Sequence, residues 1–282
     1  MRENKRIIIC LVQILLIASF TYPFMASEAI PIKSDGMNAY SICGTSHMRQ
    51  TDDGGLITVG STEEGSYLIK INAYGTRQWK TNWGWQYEFN DVQQTSDGGY
   101  IICGIWNNEE GLLMKTTSQG DASWENHYWV SGMGLYFKLN SVQQTSEGGF
   151  VAGGLRAKAP EEIAEGLVVK TDPSGKDEWI KTEAESINCI QQTSDGGYIS
   201  VGVFDVWPPE SDRIYYVGLC KRDSTGNIEW DVELSKTGSA TSVQQIEDGG
   251  YLITCSGFAD LVKTNSVGKI EWRELNGYMR MK

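Results

Sequence analysis

One ten-residue stretch, Ile190-Gln191-Gln192-Thr193-Ser194-Asp195-Gly196-Gly197-Tyr198-Ile199, is written five times in this chain. The other copies read HMRQTDDGGLI, DVQQTSDGGYI, SVQQTSEGGFV and SVQQIEDGGYL. Their first turn glycines, Gly54, Gly98, Gly148, Gly196 and Gly249, are 44, 50, 48 and 53 residues apart. Any fold for this sequence must therefore be assembled from five like units.

Each copy specifies a tight hairpin. Glycine takes the positive φ that a turn between twisted strands needs, and aspartate tolerates the position before it. A strand a (VQQT), a turn and a strand b (YIICG and its relatives) follow. A second constant spacing completes the unit. Gly75, Gly120, Gly175, Gly226 and Gly268 stand four residues before Trp79, Trp124, Trp179, Trp230 and Trp272. Five residues before each glycine is a lysine: Lys70, Lys115, Lys170, Lys221 or Lys263. Asp172-Pro173-Ser174-Gly175 has the residue order of a type I turn. Strand c, a turn and a tryptophan-bearing strand d are thus predicted.

Four strands in a repeat of this length is the signature of a propeller, since β-helix coils use much shorter repeats. The strands YIIC, GLLM, GLVV and YLIT are apolar almost without interruption, as expected where neighbours cover both faces of a sheet. The predicted fold is all-β, a five-bladed β-propeller of four-stranded antiparallel blades. Its blades span about 46–82, 90–130, 140–182, 187–234 and 241–275.

The Gly-x-x-x-Trp after strand c resembles the tryptophan-docking motif of propellers of the pyrroloquinoline-quinone dehydrogenase type. The aspartate box of sialidases fits less well, because its Trp comes three residues after Gly. The whole unit, QQTSDGGYI…G…LxKTDxxGxxxW, resembles a repeat of secreted archaeal and bacterial propeller proteins over residues 46–275. The resemblance implies that Trp79, Trp124, Trp179, Trp230 and Trp272 are structural, each packing on a neighbouring blade's turn. It carries no catalytic residue across. The quinone dehydrogenases have more blades, a calcium site and a vicinal cysteine pair, and this chain has no such pair.

The formal charge is −12. Residues 1–29 read as an export signal: Arg2, Lys5 and Arg6 precede an apolar run from Ile7 to Met25, and Ser27-Glu28-Ala29 offers small residues before a cut. At 19 residues the run is also long enough to be an uncleaved anchor. No other segment is long and apolar enough to span a membrane. Without residues 1–29 the chain holds 21 basic and 34 acidic residues, a poor balance for gripping nucleic-acid phosphates. A secreted or surface location is expected, with residues 30–45 a linker and spare strand and 276–282 a tail. Beyond the leader stand Cys43, Cys103, Cys189, Cys220 and Cys255, an odd number with no CxxC, and His47 and His127 are the only histidines. That set signals neither a redox motif nor a metal site, so no metal or cofactor is expected. The acids of Asp172–Asp177 read as a capped turn rather than a calcium loop.

In such a propeller the short a–b and c–d turns share one face and the variable b–c and d–a loops the other. Binding residues gather on loops held by a rigid scaffold. The variable face collects Trp83, Trp85, Tyr87, Trp106, Trp129 and Trp207, which either stack on a glycan or protein partner or plug gaps between loops. The innermost strands present a ring of amides, Gln50, Gln94, Gln144, Gln192 and Gln245. These either hold water or a small polar ligand, or satisfy one another and nearby backbone. Glycosidases need two carboxylates converging on the substrate, and here amides stand where such acids would be expected. The expected function is a non-catalytic binding or scaffold module. A glycan-active hydrolase and a structural surface-layer component are the alternatives.

Overall fold

The computed structural model describes residues 45–281 apart from 63, 130–134, 159–161, 183–185, 207–213, 258 and 276–277. It is a five-bladed β-propeller, each sheet antiparallel and each taking its strands in chain order. The first sheet contains β1 (Thr45–Gln50), β2 (Leu56–Thr62), β3 (Gly65–Ile71) and β4 (Arg77–Gly84). The second contains β5 (Tyr87–Gln94), β6 (Tyr100–Trp106), β7 (Glu110–Thr116) and β8 (Ala122–Tyr128). The third contains β9 (Leu135–Gln144), β10 (Phe150–Lys158), β11 (Glu162–Thr171) and β12 (Asp177–Thr182). The fourth contains β13 (Ser186–Gln192), β14 (Tyr198–Val206), β15 (Ile214–Arg222) and β16 (Ile228–Ser235). The fifth contains β17 (Ser239–Gln245), β18 (Tyr251–Ser256), β19 (Leu261–Thr264) and β20 (Ile270–Leu275), and gains β21 (Tyr278–Met281) from the expected tail. β21 pairs with β20 and takes the outer edge of that sheet. The leader and linker, residues 1–44, lie outside the described residues.

The repeated turn explains itself in the fourth sheet. Gly196 sits at φ 82°, a region closed to most side chains. Gly197 is needed for space, because a Cβ there would collide with the Arg222 carbonyl and the Lys221 ammonium. Asp195 Oδ1 accepts from the Gly197 N–H (3.0 Å) and the Thr193 hydroxyl (2.6 Å). The repeated lysine closes the same turn from below. Lys221 Nζ donates to the Arg222 carbonyl (3.0 Å) and reaches Asp195 Oδ2 (2.9 Å) and Glu229 Oε2 (2.9 Å). Lys70, Lys115, Lys170 and Lys221 are all buried, each donating to the carbonyl of the next residue.

The continuous apolar strands serve two cores at once. Ile101 and Cys103 of β6 face the third sheet, where they meet Leu139, Val142 and Ala152. Ile102, between them, faces Ile57, Val59 and Leu68 of the first sheet. Val151 and Val168 meet Ile187, Ile190 and Cys220 between the third and fourth sheets. Ile199, Val201 and Leu219 meet Val243, Ile253 and Val262 between the fourth and fifth. Burying one such side chain contributes about 1.5–3 kcal/mol. Consecutive innermost strands β1, β5, β9, β13 and β17 also pack on one another around the axis. Among the described residues, comparable strand packing is not repeated between the fifth sheet and the first.

Candidate binding site

The axial amides are occupied by the protein itself. The side-chain carbonyls of Gln94, Gln144, Gln192 and Gln245 accept the backbone N–H groups of Asp52, Ser96, Ser146 and Ser194, at 2.7–2.8 Å. Each is thus a tie to the a–b turn of the preceding blade. Gln50 has no equivalent tie among the described residues and is exposed. Two of the preceding amides are also engaged: Gln93 and Gln143 accept from the backbone N–H groups of Gln144 and Gln192, at 2.7 and 2.6 Å.

Among the described residues the innermost strands bury one acid. Asp91 accepts from Arg49 Nε and Nη2 (3.0–3.3 Å) and from the backbone N–H groups of Val92 (2.7 Å) and Val142 (3.0 Å), with His47 Nε2 at 3.4 Å. Burial pushes its pKa up most strongly, but the charge of Arg49, then His47 and the Val142 N–H, outweigh it and hold the carboxyl below its ordinary value. Burial in turn holds the His47 imidazole below its ordinary value against the pull of Asp91. The thiols of Cys103 and Cys189 are raised by burial, which removes thiolate character. Asp91 is an ionised strut with its lone pairs taken, a poor proton donor. The innermost strands have one other acid, Glu88, on the same strand.

The variable face is different. A pocket of about 380 Å³ opens between the first and second blades. Its aromatic wall is Trp85, Tyr87 and Phe89, and its polar wall is Ser46, Ser61, Ser66, Asn90 and Asn108, with Glu88 and the backbone of Gly65 completing it. The chain is delivered there by a two-residue turn: β4 ends at Gly84 (φ 76°), Trp85 and Gln86 turn, and β5 begins at Tyr87. That turn separates two neighbouring tryptophans. Trp83 packs into the core between the first two blades, edge-on to Tyr87 (5.5 Å) and Phe89 (6.3 Å). Its buried indole N–H meets no acceptor among the described residues. Trp85 projects outward and is 69% exposed.

Behind the pocket the Tyr87 hydroxyl donates to Glu125 (3.2 Å), and burial, then Glu125, raise its pKa. His127 stands between Glu110 (3.1 Å) and Glu125 (3.4 Å), with Trp106 edge-on at 4.8 Å. Trp106 is therefore half-buried support, whereas Trp129 is 57% exposed. Trp207 lies outside the described residues. The structure thus brings Trp85 and Tyr87 to one pocket, turns Trp83 inward and leaves Trp129 apart. The serines and asparagines of the polar wall carry no sequence signal of their own, because only the packing of β1, β2, β3 and β5 with the β6–β7 turn brings them together. Among the described residues no three His, Cys, Asp or Glu side chains are grouped to hold a metal ion, and no helix is long and apolar enough to cross a membrane.

No protein-family model and no curated protein matches this sequence. Among solved structures it is similar to a protein of unknown function from Bacteroides caccae, with a TM-score of 0.54, 14% identity, and 79% of this chain and 73% of that one covered. It is similar also to the WD40 domain of Toxoplasma gondii coronin, with a TM-score of 0.53, 8% identity, and coverage of 84% and 57%. A third is regucalcin, a calcium-binding protein from Agrobacterium tumefaciens, with a TM-score of 0.50, 13% identity, and coverage of 82% and 74%. At these identities the likeness is one of fold: the chain is a β-propeller module.

Proposed function

We propose that this propeller is a non-catalytic binding module of the cell exterior whose ligand, a glycan, sits in the pocket between the first and second blades. The observation that carries the reading is Trp85, a large exposed ring on a pocket whose polar wall presents hydroxyls and side-chain amides. An aromatic plane takes the apolar face of a sugar ring, and hydroxyls and amides pair with its hydroxyl groups. Tyr87 and Phe89 pack on each other beside it, so that part of the wall is preformed and loses little to ordering. The basic start and apolar run of residues 1–29 support export. The hydrolase reading has weaker support, because Asp91 is committed to Arg49 and to backbone N–H groups.

The test is a glycan array followed by calorimetry with the best ligand. Trp85→Ala is expected to weaken binding by about tenfold or more, the loss of roughly 1.4 kcal/mol, and to leave the melting temperature unchanged. Binding that survives the substitution would sink the assignment of this pocket.

A further inference from the structure

Among the described residues, two that are not glycine hold a left-handed backbone, and they are neighbours: Asn107 (φ 52°) and Asn108 (φ 63°). They are the central residues of the turn between β6 and β7, which the Glu109 N–H closes on the Trp106 carbonyl (3.2 Å). A turn with positive φ at both centres favours glycine at the second, where a Cβ is strained. Asn108 keeps a side chain at that place, and it lines the same pocket as Trp85. It is exposed, and its amide engages no partner among the described residues. The turn is held from two sides. The Asn107 N–H donates to the carbonyl of Gln86, the residue after Trp85 (2.6 Å), and the Glu109 carbonyl accepts from the Phe137 N–H (2.8 Å). Trp85 and Asn108 thus stand on two turns joined by a backbone hydrogen bond. The rest of the polar wall has largely spent its hydrogens. The Ser46 hydroxyl donates to the Phe89 carbonyl (2.7 Å), the Ser66 hydroxyl to the Tyr87 carbonyl, and Asn90 Nδ2 to the Leu139 carbonyl (2.8 Å). The two serines retain only lone pairs for a ligand, whereas Asn108 offers both N–H donors and an acceptor oxygen in one plane.

We propose that Asn108 sets the specificity of this pocket. Its amide reads two adjacent hydroxyls of a neutral sugar ring, accepting from one and donating to the other, while Trp85 covers the ring's apolar face. The inference rests on the glycan reading of the pocket and narrows it to sugars with a free vicinal diol. A planar amide matches two neighbouring hydroxyls as a pair, and Ser46 and Ser66 accept from others. A site built to hydrogen-bond a hydroxyl rejects the analogue that lacks it, because its own groups are then left unpaired. Glu88 on the pocket and the acidic balance of the chain disfavour sugar acids. The turn explains the choice of residue. Glycine would suit the backbone and bring no amide, and asparagine is the amide side chain that best tolerates the left-handed region.

The full chain is titrated with the methyl glycosides of glucose, galactose and mannose and with their singly deoxygenated forms, read by tryptophan fluorescence. Asn108→Gly relieves the backbone and deletes the amide. It is expected to weaken binding of the best-bound glycoside about tenfold and to melt no lower than the wild type. Asn107→Gly relieves the same turn but keeps the Asn108 amide, and is expected to bind as the wild type does. Removing either of two adjacent hydroxyls from the sugar is expected to cost the wild type about as much, and to cost Asn108→Gly nothing further. Asn108→Gly binding with wild-type affinity overturns the proposal. So does an equal loss in Asn107→Gly, which would place the effect in the turn's stiffness, or an Asn108→Gly protein that melts well below the wild type, which would make the amide structural. A panel of which no member binds overturns it as well. Trp85→Ala separates this inference from the reading beneath it. If Trp85→Ala weakens binding and Asn108→Gly does not, only the role of Asn108 falls; if neither does, the glycan pocket falls with it.

Discussion

Trp179 shows what one residue contributes at a seam. Its ring fills the space over Gly226 and meets Tyr198 edge-on at 5.6 Å. Trp179→Ala leaves a void that neither neighbour can fill, and is expected to cost about 3–5 kcal/mol, read from urea denaturation. A loss below about 1 kcal/mol would mean the ring contributes little there. Much of the site was out of reach at this scale. Trp83 and Trp85 look alike in the sequence, two aromatics around a glycine. Gly84 turns the chain between them, so one ring enters a core and the other enters solvent. The repeated lysines were visible as a spacing, but their role as buried ties was not, because a lysine's usual place is the surface. The amides were visible as a ring, yet their partners are backbone groups of the preceding blade, some fifty residues away.

Each a–b turn, taken as an element, is a small electrostatic device. The pKa of Asp53 is lowered to about 2, chiefly by the hydrogen bond from Lys70 and then by that from Thr51. At Asp97 and Asp195 burial pulls upward most strongly, but hydrogen bonds from the threonine, the lysine and the second glycine of the turn prevail, and both carboxyls also lie at about 2. A carboxylate held below its unfolded value of roughly 4 stabilises the fold fully above that pH. The contribution is lost as pH falls from roughly 4 towards 2. Urea denaturation at stepped pH should therefore show stability declining below about pH 4, and Asp97→Asn should flatten the decline. The carboxylates are half-exposed, so added salt should shrink the effect. The turn itself was legible in the sequence, since Asp-Gly-Gly admits few backbone solutions.

For the whole molecule, the number of blades was legible and the state of the ring was not. The fifth repeat carries the same Gly-x-x-x-Trp as the others, so nothing local in it announces an open seam. The signals that exist lie in the first repeat, where Leu56 replaces an aromatic and Arg49 a glutamine. Closure depends on angles summed over five blades, which no single residue encodes. Among the described residues the first and fifth sheets each pack strongly on one neighbouring sheet only, and elements held from one side open first. In dilute protein, amide hydrogen exchange is expected to be slowest in β9 and β13 and faster in β1 and β17. Uniform protection of the five innermost strands would indicate a closed ring.

That no fifth seam is made among the described residues also bears on how such a chain can change length. In a closed ring every blade is wedged at a fixed angle, and gaining or losing one forces all the rest to re-angle. In an open arc a duplicated repeat adds one seam at an end and leaves the earlier seams as they were. The spacings of 44, 50, 48 and 53 residues show units that already differ in loop length while keeping the same turns. A sixth repeat placed after the fifth would find its tryptophan in Trp272, with the four existing tryptophan seams, Trp79 over Gly120, Trp124 over Gly175, Trp179 over Gly226 and Trp230 over Gly268, as the template.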